Sequence, residues 1–415
     1  MDKNDIVVVG AARTPIGKYK GMYRFEPAWK LGAWAIRGAI NSARRLTNDQ
    51  IDCVLMGTAL PAGLGQHPAR QAALAAGLPD SVRVEHIYKL CSTGTSQILH
   101  ACNMLSSPFE KVEVVVAGGM ENMTRAPLIT HPCFNTMAEG GKERVEKVFE
   151  KHGYDAMLQD GLWDAFEFEK HMGVLAEMTA KELGITREDA DRFAYLSHKR
   201  AWATSNSEAF NNYIVHVPII SMPLAMTRCD ETLWHPSPEK LASLGPVFAK
   251  DGVITAGNAS QIADGAAAVV LMKRETADQM GIRPFAHIVA FADHSGEPSK
   301  YLTAPVDAFV SLAQKTLGRY DKQWAPHHFD LIELNEAFAV GNVAFMKAFK
   351  LDWKFVEERM NVLGGSIALG HPLGSTGTRL LISLMTALRM RGLRFGAWGQ
   401  CNGAGEAVMG SVAIE

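Results

Sequence analysis

The chain has 415 residues, 47% of them hydrophobic and 21% charged, with a formal net charge of -2. Such a chain can bury a substantial core and is expected to form more than one domain. The near-neutral balance, with no long run of one sign, argues against nucleic-acid binding through a broad basic face. No segment approaches the roughly 18 uninterrupted apolar residues of a membrane span.

Met1-Asp2-Lys3-Asn4-Asp5 leads directly into Ile6-Val7-Val8-Val9, with no charged leader and apolar stretch, so no secretory signal is expected. Residues 6–12 form a strand-like run, Leu31 to Ala43 reads as a helix, and Cys53 to Gly57 reads as a buried strand. Lys89-Leu90-Cys91-Ser92-Thr93-Gly94 sets a cysteine where an apolar run gives way to a helix continuing through Gln97 to Leu105. Val112 to Ala117 is predicted to be a strand stopped by Gly118-Gly119. Alternating strands and helices point to an α/β sheet with helices on both faces. Residues 129–257 are richer in charge, Met and Trp and poor in strand signals, as expected of an insertion packed over the sheet domains. Within it, Ile185 to Ala190 looks like a helix start, with Thr186 as N-cap and Asp189 three residues on.

Near the C-terminus, the run from Gly364 to Arg379 pins His371 between Gly370 and Pro372, among glycines suited to tight turns and close backbone approach. Gln400-Cys401-Asn402-Gly403-Ala404-Gly405 carries a second cysteine into another glycine-rich turn. Two cysteines and one histidine beside such backbone suggest thiol chemistry on an acyl group. There is also an internal echo. Cys91-Ser92-Thr93-Gly94-Thr95 resembles Gly374-Ser375-Thr376-Gly377-Thr378, and clustered glycines follow each at a similar remove.

The six cysteines are scattered without C-x-x-C spacing, so neither a metal site nor a disulfide framework is indicated, and a reducing cytoplasm suits them. Cys53, Cys102, Cys133 and Cys229 read as inert small hydrophobes. His86, His100, His131 and His235 read as structural or solvated. Asn335 could cap a helix beginning at Glu336.

Over essentially its whole length the chain resembles the thiolase family. The resemblance rests on the segments 115–123, Gly257-Asn258-Ala259-Ser260 and Asn335-Glu336-Ala337-Phe338-Ala339, with the histidine and C-terminal cysteine blocks in the family's order. Within the family, Asp160 to Phe166 and His171-Met172-Gly173 resemble the biosynthetic, acetoacetyl-CoA type. The implied fold is a five-layered αβαβα arrangement. Residues 1–128 and 258–282 would form the N-terminal core domain, 129–257 an inserted loop domain covering coenzyme A, and 283–415 the C-terminal core domain.

The implied activity is acyl transfer from 3-oxoacyl-CoA, with coenzyme A as co-substrate and no permanently bound cofactor. By resemblance, Cys91 is the nucleophile, His371 activates it, and Cys401 moves the proton at the α-carbon. Asn335 places a water beside His371 in one oxyanion hole, and the N–H groups of Cys91 and Gly403 form the other. His171, Phe248, Ala256 and Ser260 match positions contacting the pantetheine arm. Packing is as ready an explanation for Phe248, Ala256 and Ser260. The resemblance also implies a homodimer or homotetramer and leaves an auxiliary subunit open.

Several positions depart from the family pattern: Tyr88 and Leu363 stand where asparagines are usual, Tyr301 where a methionine is common in the acyl pocket, and Gln261-Ile262-Ala263 where Gly-Ile-Asn usually follows. No clear match exists for the arginine expected near the CoA nucleotide, with Arg228 and Lys240 as substitutes. These changes surround the pocket and spare the reacting groups, so the expectation is thiolase chemistry on an altered acyl group: bulky, aromatic or carboxylated. The alternatives are an acetoacetyl-CoA thiolase proper, a ketosynthase-like condensing enzyme, or a silent acyl-CoA-binding subunit.

Overall fold

The computed structural model describes residues 2–130, 153–205, 207–219, 222–318 and 322–415; His131 and Cys133 lie outside them. Among the described residues, ten strands join into one sheet. In spatial order nine are Leu331–Leu334, Phe395–Asn402, Glu406–Ile414, Ala286–Ser295, Ile6–Arg13, Ala263–Lys273, Val114–Asn122, Cys53–Gly57 and Arg83–Glu85; Gly17–Lys18 pairs beside Ala263–Asp264.

The order is a repeat. Ile6–Arg13, Ala263–Lys273, Val114–Asn122 and Cys53–Gly57 run antiparallel, antiparallel, then parallel. Ala286–Ser295, Glu406–Ile414, Phe395–Asn402 and Leu331–Leu334 do the same. The halves are not separate sheets, because Val7 and Val8 pair antiparallel with His287 and Ala286. On the outer face of the first half lie the helices Ala28–Ser42 and Pro68–Ala75, and on that of the second lies Ala304–Leu317. Between the halves, Thr93–Ser106 and Leu373–Arg391 pack on each other and on the sheet. This gives the five α, β, α, β, α layers.

The echo noticed in the sequence falls where the central helices meet. A Cβ on Gly377 would lie 2.3 Å from Thr95 Oγ1, and one on Gly94 would lie 2.9 Å from the Gly374 carbonyl oxygen. Each copy of the motif therefore lets the other helix start approach closely. Gly118-Gly119 does not stop its strand, which runs through to Asn122. These glycines serve close approach instead: a Cβ on Gly119 would lie 1.8 Å from the Gly374 carbonyl oxygen.

The helix start at 186 has the expected capping box, with the Asp189 N–H donating to Thr186 Oγ1 at 3.1 Å. Among the described residues of 129–257, strand is confined to short ribbons, including Val217–Ile219 with Met222–Thr227. Asn335 caps no helix; the next one begins at Ala339. Of the cysteines read as inert, Cys53 is buried, Cys102 half-buried and Cys229 exposed. No described helix is long and apolar enough to cross a membrane.

Candidate active site

Cys91 lies in the turn Leu90–Ser92, immediately before the helix Thr93–Ser106. Leu90 takes φ 46°, a left-handed conformation that is costly for a branched side chain and has to be held by its surroundings. Two residues at the end of the strand Phe395–Asn402 supply the hold. Gln400 Nε2 donates to the Cys91 carbonyl at 3.1 Å, and Ser92 Oγ donates to Asn402 Oδ1 at 3.2 Å. Strand alternation turns Cys401, between them, to the opposite face. Cys401 is thus in the strand itself, one residue ahead of the glycine-rich turn.

One cavity, open to solvent, is lined by Cys91, His371, Cys401 and Gly403, together with His171, Phe248 and Ser260. Met123, Leu162, Ile262, Tyr301 and Leu373 supply much of its apolar wall. Asn335 is not in the lining and reaches the site through His371, with its Nδ2 3.3 Å from His371 Nε2. Ala256 is exposed and outside the lining, where its near neighbour Ala259 stands. The His171 and Phe248 rings stack at 4.7 Å and 20°, and a Cβ on Gly173 would strike the Phe248 ring at 2.3 Å. The departures from the family pattern divide. Tyr301 and Gln261 line the cavity, whereas Tyr88, Leu363, Arg228 and Lys240 do not.

The two thiols and the imidazole of the cavity rest uncharged. Burial pushes the Cys91 thiol up to about 12, even though its own backbone N–H and that of Gly403 point at the sulfur and favour the thiolate. Burial, with Cys91 close by, raises the Cys401 thiol too. Burial and then the charge of Arg379 lower His371 to about 3. Desolvation outweighs the helix N-terminus at Cys91, so the cavity starts with two thiols and a neutral imidazole.

Behind the cavity, Glu121 is fully buried and accepts from Thr58 Oγ1 at 2.6 Å and from the backbone N–H groups of Ala59, Leu60 and Gly374. It ties the start of the helix Leu373–Arg391, just after His371, to the first half of the sheet. His371 Nδ1 lies 2.7 Å from Thr376 Oγ1. Sequence reasoning passed over Glu121, Thr376 and Ser366, although all three stand inside the motifs quoted for the resemblance. Only their contacts distinguish them from neighbouring polar residues: Glu121 with Gly374 across the halves, Thr376 with His371, and Ser366 with Asn335 and Arg379.

Residues 6–275 match the family model for the thiolase N-terminal domain, and residues 282–414 match that for the thiolase C-terminal domain. The chain belongs to the thiolase family. An acetyl-CoA acetyltransferase of Cupriavidus necator is 37% identical over 414 residues, covering 99% of both chains. A probable acetyl-CoA acyltransferase of Staphylococcus aureus is 37% identical over 98% of both. The crystal structure of the Bacillus anthracis acetyl-CoA acetyltransferase superposes with a TM-score of 0.88 at 32% identity, covering 99% of each chain. This thiolase is accordingly an acyltransferase of the thiolase type, and its cavity lies where the two matched domains meet: Cys91 comes from the first, and His371 and Cys401 from the second.

Proposed function

We propose that this thiolase cleaves and forms 3-oxoacyl-CoA reversibly through an acyl thioester on Cys91. The observation that carries the proposal is the convergence of Cys91, Cys401 and His371 on one apolar cavity. In the cleavage direction the Cys91 sulfur attacks the 3-oxo carbon while His371 Nε2 takes the thiol proton. The tetrahedral oxyanion collapses to the thioester and the bond between C2 and C3 breaks. The electron pair left on C2 takes the Cys401 thiol proton, and acetyl-CoA departs. The thiol of an incoming coenzyme A then gives its proton to Cys401 and attacks the thioester. Cys91 leaves as thiolate and recovers its proton from His371, so all groups are restored. The N–H groups of Cys91 and Gly403 would steady the oxyanion, a service worth several kcal/mol. Asn335 is proposed to act through His371, to which it is bonded. Stacked His171 and Phe248, with Ser260, would hold the pantetheine arm; Ala256, outside the lining, has no such support.

For the acyl group, the described lining contains no Lys or Arg. A carboxylated acyl chain would enter unpaired, which speaks for a neutral acyl group; the proposed substrates are aliphatic or aromatic ones larger than acetyl. Tyr301 is buried beside both thiols, and its hydroxyl donates to the Met172 carbonyl at 2.9 Å, which fixes the ring as a wall of the pocket. Thiolysis of a panel of 3-oxoacyl-CoA thioesters should show neutral larger substrates ahead of carboxylated ones by about 10-fold or more in kcat/KM. Tyr301→Ala should move the preference further toward bulky groups. Efficient turnover of acetoacetyl-CoA with no activity on larger members would contradict this specificity. No CoA-dependent cleavage of any member would contradict the thiolase reading of the site.

A further inference from the structure

The hydrogen bonds behind His371 have a direction, and a cation sets it. Arg379 is 2% exposed, within the central helix Leu373–Arg391, and a guanidinium only donates. Its Nη2 lies 2.8 Å from Ser366 Oγ, so that oxygen accepts. The Ser366 hydroxyl proton then goes to Asn335 Oδ1 at 2.6 Å. An amide whose oxygen is held in this way must turn its NH2 toward His371 Nε2, 3.3 Å away. Nε2 therefore accepts, and the ring proton sits on Nδ1. That N–H donates to Thr376 Oγ1 at 2.7 Å, and the threonine hydroxyl passes its own proton to the Pro372 carbonyl at 3.0 Å. Amide orientation and histidine tautomer are ordinarily open to either assignment. Here every link follows from the first.

We propose that Ser366 and Arg379 are positioning residues that lock the Asn335 amide, so that proton transfer from Cys91 to His371 creates a pair of converging donors for the oxyanion. The proposal rests on the acyl-transfer reading above. Before transfer, Asn335 Nδ2–H donates to the Nε2 lone pair. Once Nε2 carries the Cys91 proton, two N–H groups face one another and repel, unless an oxygen accepts from both. The tetrahedral oxyanion formed in the same step, or a water bonded to it, is such an acceptor. Were the amide free to flip, Oδ1 would accept the new Nε2–H and both donors would be lost to the reaction. The lock therefore stores donor capacity that becomes available only when charge develops, as transition-state stabilisation requires. Arg379 also counts through its charge, because it opposes a resting imidazolium.

The test compares wild type, Ser366→Ala and Ser366→Thr. Long-range proton–nitrogen NMR of histidine-labelled protein reads the His371 tautomer, assigned from the signal lost in His371→Gln. Single-turnover acylation by acetyl-CoA reads the chemistry. The wild type should show His371 protonated at Nδ1. Ser366→Ala should acylate about 10- to 100-fold more slowly, with its half-saturating acetyl-CoA concentration changed less than about twofold. Restoring a hydroxyl in Ser366→Thr should recover most of the rate. A wild-type His371 protonated at Nε2 would overturn the lock, as would Ser366→Ala at the wild-type rate or a loss that threonine does not repair. The tautomer is read without substrate. A wild type that acetyl-CoA fails to acylate would therefore count against the acyl-transfer reading and leave the tautomer result standing by itself.

Discussion

His371→Ala is expected to slow single-turnover acylation of Cys91 at pH 7 by about 10²- to 10⁴-fold, the usual contribution of a positioned general base. Its pH profile should change shape as well. The thiol is raised to about 12 and the imidazole lowered to about 3. A raised thiol keeps its proton as pH climbs, and a lowered imidazole keeps its lone pair as pH falls. Between pH 5 and 9 the resting pair is therefore S–H beside neutral imidazole throughout, and transfer during attack should give a nearly flat wild-type rate. Without His371 only free thiolate reacts, roughly 1 in 10⁵ of the protein at pH 7, and its rate should rise about tenfold per pH unit. Rapid-quench acylation from pH 5.5 to 9 checks both. A wild-type rate climbing tenfold per unit, or a flat variant within tenfold of wild type, would refute the assignment of His371 as base.

Gly119→Ala is expected to destabilise the fold by about 3 kcal/mol or more, a cost typical of a backbone clash in a packed core. The added Cβ would meet the Gly374 carbonyl oxygen at 1.8 Å and its carbonyl carbon at 2.6 Å. Neither can rotate away, so the start of the helix Leu373–Arg391 must shift from the strand Val114–Asn122. That shift would stretch the 2.8 Å bond from the Gly374 N–H to Glu121, leaving a buried carboxylate one donor short. Because His371 lies three residues before Gly374, activity should fall with stability. Gly245→Ala is the control: nothing stands within 4 Å of its Cβ, and a change within about 0.5 kcal/mol is expected. Urea unfolding midpoints would separate them. Equal midpoints would remove the claim that close approach at Gly119 holds the halves together.

Much of this was legible in the chain, for physical reasons that differ from residue to residue. Cys53 to Gly57 and the helix start at Thr186 carry their signals locally, in apolar run and capping chemistry, and both form as expected. Cys91, Cys401 and His371 stood out because glycine-rich backbone surrounds them, and the fold brings all three to one cavity. Gly118-Gly119 misled: glycine often ends a strand, but here the absent side chains admit a helix from 255 residues away, between Gly119 and Gly374. Asn335 misled similarly, since its partners Ser366 and His371 lie 31 and 36 residues on in sequence and no local pattern announces them. Tyr301 could be flagged as unusual from the family pattern. That its hydroxyl is tied to the Met172 carbonyl, fixing the ring against the cavity, is a property of the fold.

The most direct test of the central claim is peptide mass spectrometry after brief exposure of the wild type and Cys91→Ser to acetyl-CoA and to larger acyl-CoA thioesters. A thioester-linked acyl group on the peptide containing Cys91, absent from the variant and removed by free coenzyme A, is the result expected. Acyl groups found elsewhere, as on exposed Cys229, or no acylation of Cys91 by any thioester, would contradict an acyl-enzyme at Cys91.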